Sequence, residues 1–297
     1  MSFFIEEVFR QPADFIGRVR MTERLVEKHG EVRITTFARS ILSRPLDAFF
    51  IGSGKRYIAV FAAHHALESI TVNIAYIMID YLLTKMSGGK INGVDCKLLL
   101  SKYCYIIVPC VNPDGIELRF HGVESSPLHD RQIRMSDGDF TDWQSNSRGV
   151  DLNHNYNFKF EEYKALELER GILPGRALFS GEYPESEPET HGVANLIRTV
   201  SPSAVVSLHS QGEEIYHFPD TRRVERIAKK LSVMTGYVLA NPGGTAAYGG
   251  LCDYMGAIGI PSFTFEVGKG KNPLPESDIS DIFYRIHKSI AILPTLL

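Results

Sequence analysis

Cysteine is scarce in this chain, and what there is does not pair. The 297 residues include four cysteines, Cys96, Cys104, Cys110 and Cys252, with no C-x-x-C spacing among them. That argues against a cysteine metal site or a disulfide framework and points to reduced thiols packed in the core. A strong charge excess is also missing. The formal net charge of −3 gives no electrostatic ground for a nucleic-acid partner or an anionic membrane. The longest apolar stretch, Ile70 to Leu83, is interrupted by Asn73 and Asp80 and is too short to span a bilayer. Met1 to Phe15 carries Glu6, Glu7 and Asp14 where a signal peptide needs a basic start and an apolar centre. No signal peptide is therefore expected, and the expected compartment is the cytoplasm. Neither an internal repeat nor a dividing linker is evident, so residues 1–297 read as one α/β domain.

What is present alternates between strand and helix patterns. Residues 13 to 29 have helical character, and VRITTFA and DAFFIG, joined across a polar turn, suggest two early strands. IAVFAA (58–63) is apolar on both faces, as a central covered strand is. Glu68 to Met86 has helical length, and CYIIVPCV (104–111) is another buried strand closed by Asn112-Pro113-Asp114-Gly115. Residues 116 to 150 are polar and lack periodicity, which predicts a long loop at the rim of a cleft. Ser186 and Glu189 form a capping-box signature opening a helix through Val200. AVVSLH (204–209) and SFTFEV (262–267) are further strands, separated by a helix whose apolar face runs from Val224 to Met234 and stops at Gly236. A helix over 278–293 closes the chain.

The chemistry collects where strands end. His65 and Glu68 follow IAVFAA as His-x-x-Glu, and a histidine and a carboxylate three apart on such a turn can face one point, as two ligands of a catalytic zinc must. His209, at the end of AVVSLH, supplies a third ligand and leaves one coordination position for water. Glu266 ends an apolar strand, where a carboxylate must be paired, metal-adjacent or raised in pKa. That suits a general base acting on zinc-bound water. In open α/β sheets, ligands bind outside the carboxyl ends of the strands, so these four side chains can converge.

With those residues in place, HALE, VNPDG, RGVDLNHNY (148–156), SEPET (186–190), SLHSQG (207–212) and SFTFE (262–266) resemble the successive motifs of the zinc carboxypeptidase (M14) family, in the family's order and over nearly the whole chain. The resemblance implies a single α/β/α domain around a central mixed, mostly parallel twisted sheet. It implies one Zn2+ per chain held by His65, Glu68 and His209, with Glu266 as base and His64 in a supporting role.

Several positions depart from the family pattern. Where the carboxypeptidases carry Asn-Arg to grip a free C-terminal carboxylate, this chain has Asn153 and His154, and an imidazole cannot form the bidentate guanidinium clamp. The arginine that polarises the scissile carbonyl is replaced by Gln144, with Arg148 close enough in sequence to substitute. The tyrosine of the loop before GG-x-x-D is displaced to Tyr248. Asn153 and His154 are expected on the carboxylate side of the substrate, Ser210 on its backbone, and Cys252 at the pocket floor.

These departures, with Trp143 and GEEIYHF, resemble the bacterial branch that cleaves the γ-D-glutamyl to meso-diaminopimelate bond of cell-wall muropeptides. The expected partner is thus a peptide or muropeptide substrate. A conventional carboxypeptidase is the alternative, followed by an aspartoacylase-like zinc deacylase and a non-catalytic peptide binder.

Overall fold

A computed structural model describes residues 4–297. Among the described residues, ten strands and ten α-helices follow one another as α1 (Phe15–His29), β1 (Arg33–Arg39), β2 (Pro45–Ile51), β3 (Arg56–Ala62), α2 (Ile70–Met86), β4 (Lys90–Ile91), β5 (Val94–Asp95), α3 (Cys96–Lys102) and β6 (Tyr103–Val108), then α4 (Pro113–His121), α5 (His129–Ser136), α6 (Phe160–Arg170) and α7 (Pro188–Val200). The chain continues through β7 (Ala204–His209), β8 (Glu214–Phe218), α8 (Arg222–Thr235), β9 (Val238–Leu239), α9 (Leu251–Ala257), β10 (Ser262–Glu266) and α10 (Ile279–Ile292). Eight strands form one mixed sheet in the order β1-β2-β6-β3-β7-β10-β8-β9. Its centre, β6-β3-β7-β10, is parallel, and β1, β2 and β8 add antiparallel pairings toward the edges.

The central strands are buried on both faces, so their residues sort by period two. Ile58, Val60, Ala62, Val206, Leu208, Phe263 and Phe265 join a core with α2, α8 and α10. Ala59, Phe61 and Val205 face the opposite cluster, shared with α7, α9, Leu152 and Tyr156. The same alternation carries Ser207, His209, Thr264 and Glu266 to the α9 side, where small and polar residues interrupt the apolar pattern. The site is built on that interruption. Helix α2, buried at every residue from Ile70 to Leu82, wedges between the sheet and the outer helices and fixes the end of the turn that carries His65 and Glu68.

Most expected elements stand where the sequence places them. The closing helix and the helix ending at Gly236, whose φ of +75° is the left-handed value glycine supplies at a C-cap, are examples. All four cysteines are free and buried. Four expectations are corrected. The stretch 116–150 is not one irregular loop: it holds the rest of α4, a 3-10 turn over Gly122–Ser125, and α5. The turn sequence at 112–115 starts α4 as well as closing β6, because Asn112 Oδ1 accepts from Gly115 N (2.9 Å) and Pro113 takes the first helical position. The capping box at Ser186 and Glu189 does not form. Helix α7 begins at Pro188 after Glu187, the Ser186 hydroxyl donates to Glu187 Oε1 (3.0 Å), and Glu189 is buried, its Oε1 accepting from Ile41 N (3.3 Å). Finally, Glu68 lies in a 3-10 turn (Ala66–Glu68) ahead of α2, not inside the helix. No helix of the described residues is long and apolar enough to cross a membrane.

Candidate active site

Beyond Ala62 the chain leaves β3 through Ala63, at φ +54°. Pairing with the continuation of β6 persists past both strand ends: Val111 N donates to Ala62 O and Asn112 N to Ala63 O, each at 3.0 Å. The Asn112 carboxamide then donates to His64 O and Gln144 O, both at 3.0 Å, and Ala66 N donates to the same Gln144 carbonyl (3.0 Å). Thr71 completes the turn, accepting from Ala63 N (3.0 Å) and donating to Glu68 O (2.8 Å). The backbone on either side of His65 is thereby held from three directions.

His209 and Glu266 need no such clamp, since each is the last residue of a central strand and the parallel register sets them directly opposite one another. Glu68 lies between the two imidazoles, with Oε1 3.0 Å from His65 Nδ1 and Oε2 3.0 Å from His209 Nδ1. One ligand atom from each of the three residues falls within 4.8 Å of the others. His65 Nε2 is 3.1 Å from Asp151 Oδ1, and the second oxygen of Asp151 accepts from Leu178 N (3.1 Å). His64 turns away, its Nε2 2.9 Å from Tyr156 OH and its ring stacked on His209 at 5.5 Å.

The electrostatics follow from this packing. Burial pushes the Glu68 carboxyl up, but the His65 and His209 imidazoles outweigh it and hold the group at about 2. Asp151 behaves likewise: burial raises it, and the charge of His65 then drives it below the usual carboxylate range. Burial also opposes protonation of His65, yet the two carboxylates beside it raise the imidazole well above its ordinary value. Glu266 has no such partner. Burial pushes it up to about 7, the nearby His209 pulling partly the other way. The donor set of two imidazole Nδ1 atoms and a carboxylate, with a carboxylate behind one imidazole fixing its tautomer, fits a zinc ion of the catalytic type.

The zinc carboxypeptidase family model matches residues 19–284. The chain belongs to that family. It is 31% identical over 282 residues, 92% of this chain and 70% of the other, to the γ-D-glutamyl-L-diamino acid endopeptidase 1 of Lysinibacillus sphaericus. It is 32% identical to the murein peptide amidase A of Escherichia coli K12 over 110 residues, 35% of this chain and 34% of the other. Among solved structures, bovine thrombin-activatable fibrinolysis inhibitor superposes with a TM-score of 0.75 at 21% identity over 97% of both chains. The murein-tripeptide amidase of E. coli O157 superposes with a TM-score of 0.58 at 20% identity, over 90% of this chain and 94% of the other. Membership makes the protein a metallopeptidase, built on the carboxypeptidase-like mixed sheet.

The remaining expected residues of this metallopeptidase separate into those near the cluster and those committed elsewhere. Gln144 is adjacent through its backbone, and its half-buried side chain is not hydrogen-bonded to any described residue. Arg148 is not brought to the cluster as a free donor. Its guanidinium grips Glu187 in bidentate fashion (Nε to Oε2 3.0 Å, Nη2 to Oε1 2.7 Å) and also meets Ser186 O.

His154 is held in place by its neighbours. It is 6% exposed, stacks on Tyr163 at 4.3 Å, and uses Nδ1 to donate to the Tyr248 carbonyl (2.8 Å). Asn153 turns its Oδ1 to Leu251 N (3.2 Å). The Ser210 hydroxyl donates to Asn272 Oδ1 (2.8 Å), so side chain and backbone are both fixed by Asn272. Tyr248 is half-buried against Tyr163. Cys252 is buried under Thr264, and burial pushes its thiol up to about 12, leaving it a neutral packing group.

Two residues escaped the sequence reading. Asp151 sat inside the quoted RGVDLNHNY motif with no role attached, although a metal-ligating histidine ordinarily has a carboxylate or carbonyl behind it. Asn112 was placed at a strand end, but nothing local shows that it joins two distant carbonyls.

Proposed function

We propose that this metallopeptidase hydrolyses the γ-D-glutamyl to meso-diaminopimelate amide of cell-wall muropeptides, with one zinc held by His65, Glu68 and His209. The observation that carries the reading is the fate of His154. Where a carboxypeptidase needs a cation for the terminal carboxylate, the ring is neutral-leaning, since burial lowers its pKa, and is committed to Tyr163 and the Tyr248 carbonyl. A free C-terminus therefore has no guanidinium clamp at this position, as an enzyme cutting inside a branched peptide requires. The similarity to an endopeptidase named for γ-D-glutamyl-L-diamino acid bonds supports the same substrate.

Bound zinc would supply Lewis-acid polarisation and an acidified water. Glu266, whose carboxyl burial raises above its ordinary value, would take a proton from the attacking water and deliver it to the departing amine. Gln144 donates from its carboxamide to the developing oxyanion, while Arg148 holds the Asn146–Glu187 support behind it. Asn153 orients the substrate through its carboxamide nitrogen, Ser210 presents a fixed backbone to it, and Tyr248 walls the pocket above Cys252.

Incubation with muropeptides whose diaminopimelate end is free, amidated or extended, read by mass spectrometry, tests this. Cleavage at the γ-D-glutamyl bond in all three is the expected result. Release of C-terminal residues from unblocked peptides alone would establish the carboxypeptidase reading instead.

A further inference from the structure

A cavity of about 230 Å³ opens between α1, β2, α2 and the end of β6, and no residue of the metal cluster lines it. Its outer wall comes from Phe15, Val19 and Glu23, which α1 exposes on one face. Its inner wall comes from Arg18, Tyr76 and Cys110, which are 8%, 4% and 6% exposed. The guanidinium therefore belongs to the buried end, and Arg18 is the sole cation among the described residues that line the cavity.

The hydrogen bonds inside leave donors over and no acceptor to take them. Arg18 Nη1 donates to Ala13 O (2.8 Å), and Glu117 Oε1, which also accepts from Phe15 N (2.5 Å), stands 4.0 Å from the same nitrogen. Arg18 Nε and Nη2 make no hydrogen bond with any described residue. The neighbouring hydroxyls serve one another instead. Thr22 Oγ1 donates to Arg18 O (2.9 Å), so in its 3.0 Å contact with Tyr76 the phenol is the donor. Burial pushes the Tyr76 phenol up to about 12 and the Cys110 thiol up to about 11, and both stay neutral. A buried guanidinium with unmatched N–H groups is costly unless something completes it. What completes it must accept hydrogen bonds and carry negative charge.

The rest of the wall limits that anion further. Pro45 and Pro109 offer apolar surface and no N–H, beside Phe15 and Val19. Glu23 and the half-buried Asp47, whose Oδ1 accepts from the Thr36 hydroxyl (2.5 Å), oppose a second negative charge on the same ligand. The volume is below the roughly 300 Å³ at which pockets for drug-sized ligands begin, so the ligand is small.

We propose that this cavity binds a small monocarboxylate with an apolar body, the carboxylate accepting from Arg18 Nε and Nη2 in the bidentate fork that a guanidinium presents. The assignment holds whichever amide the metal site cleaves.

The test titrates the zinc-loaded full chain with 3-phenylpropanoate, with its neutral amide 3-phenylpropanamide, and with 1,4-phenylenedipropanoate, which adds a second carboxylate. Backbone amide shifts in nuclear magnetic resonance spectra separate the sites: those of α1 report the cavity, and those of residues 66–68 report a carboxylate that reaches the metal. The α1 shifts should saturate with 3-phenylpropanoate at a concentration about tenfold lower than with the amide or the dipropanoate, the worth of one charge-assisted contact. Arg18→Met should abolish that preference. Val19→Trp, which fills the mouth from an exposed position and leaves Arg18 in place, should abolish the α1 response itself and decides the matter if Arg18→Met does not fold. Equal affinity for acid and amide, an α1 response that Val19→Trp leaves unchanged, or no α1 response in the wild type overturns the site.

Discussion

The two sides of the cleft are built by different means. On the metal side, His209 and Glu266 are rungs of adjacent central strands, and Glu68 sits between two imidazoles at 3.0 Å. On the side proposed for substrate selection, Asn153, His154, Tyr248 and Cys252 come from turns and a short helix, held by stacking on Tyr163 and by tight glycines. Strand register tolerates little displacement, because a one-residue slip turns every side chain to the other face. Turns can change residue by residue. In the proposed function, the chemistry is thus fixed by the sheet and the selectivity by what is hung on its ends.

The most severe way to probe the contrast is Glu266→Gln, which leaves the register and ligands intact. Activity should fall by about 10² to 10⁴, the usual worth of a positioned acid–base group, while zinc content by atomic absorption stays at one per chain. Loss of zinc together with activity would break the separation between base and ligand set. Asp151→Asn comes next. Its carboxylate fixes the outer nitrogen of His65, so zinc affinity in competition with a chelator should weaken by about 10- to 100-fold, and unchanged affinity would show that the imidazole needs no such partner.

Glu189, buried beside Ile41, gives a smaller effect with a defined sign. Burial, with Asp114 nearby, pushes its carboxyl up to about 8 in the folded protein. The folded state therefore binds more protons than the unfolded chain between the ordinary carboxylate range and pH 8. Its contribution to stability is complete below that window and is lost as pH rises through it, by about 1.4 kcal/mol per pH unit. Glu189→Gln should flatten that part of the pH profile in urea unfolding, and a parallel profile would contradict the assignment. Smallest is Tyr163→Leu. It removes ring contacts worth about 0.5–1.5 kcal/mol and should raise KM several-fold with kcat nearly constant; a kcat loss exceeding the KM change would mean that the two sides are not separable.

The same division decided what could be read from the sequence. His65, Glu68, His209 and Glu266 were legible because strand ends are marked by apolar runs and the sheet does the rest. Helix α5 was not, since its buried positions are Gln132 and Ser136 and leave no apolar periodicity to find. The engagement of Arg148 was hidden because Glu187, its partner, lies 39 residues away. The packing of His154 on Tyr163 could not be read from its place in a motif, because the two rings meet only in the fold. The capping box failed because burial of Glu189 outweighed a local bond it might otherwise have made to the helix start.

Asn112 has a last consequence. Its carboxamide fastens the carbonyl of residue 144 to the turn that bears His65, so that position has a fixed address and an interchangeable occupant. Any amino acid that keeps the backbone there preserves the anchorage, whatever head it offers to the cleft. A grafting experiment can exploit this: swapping side chains at 144 explores the oxyanion role proposed there while the turn that bears His65 keeps its anchorage.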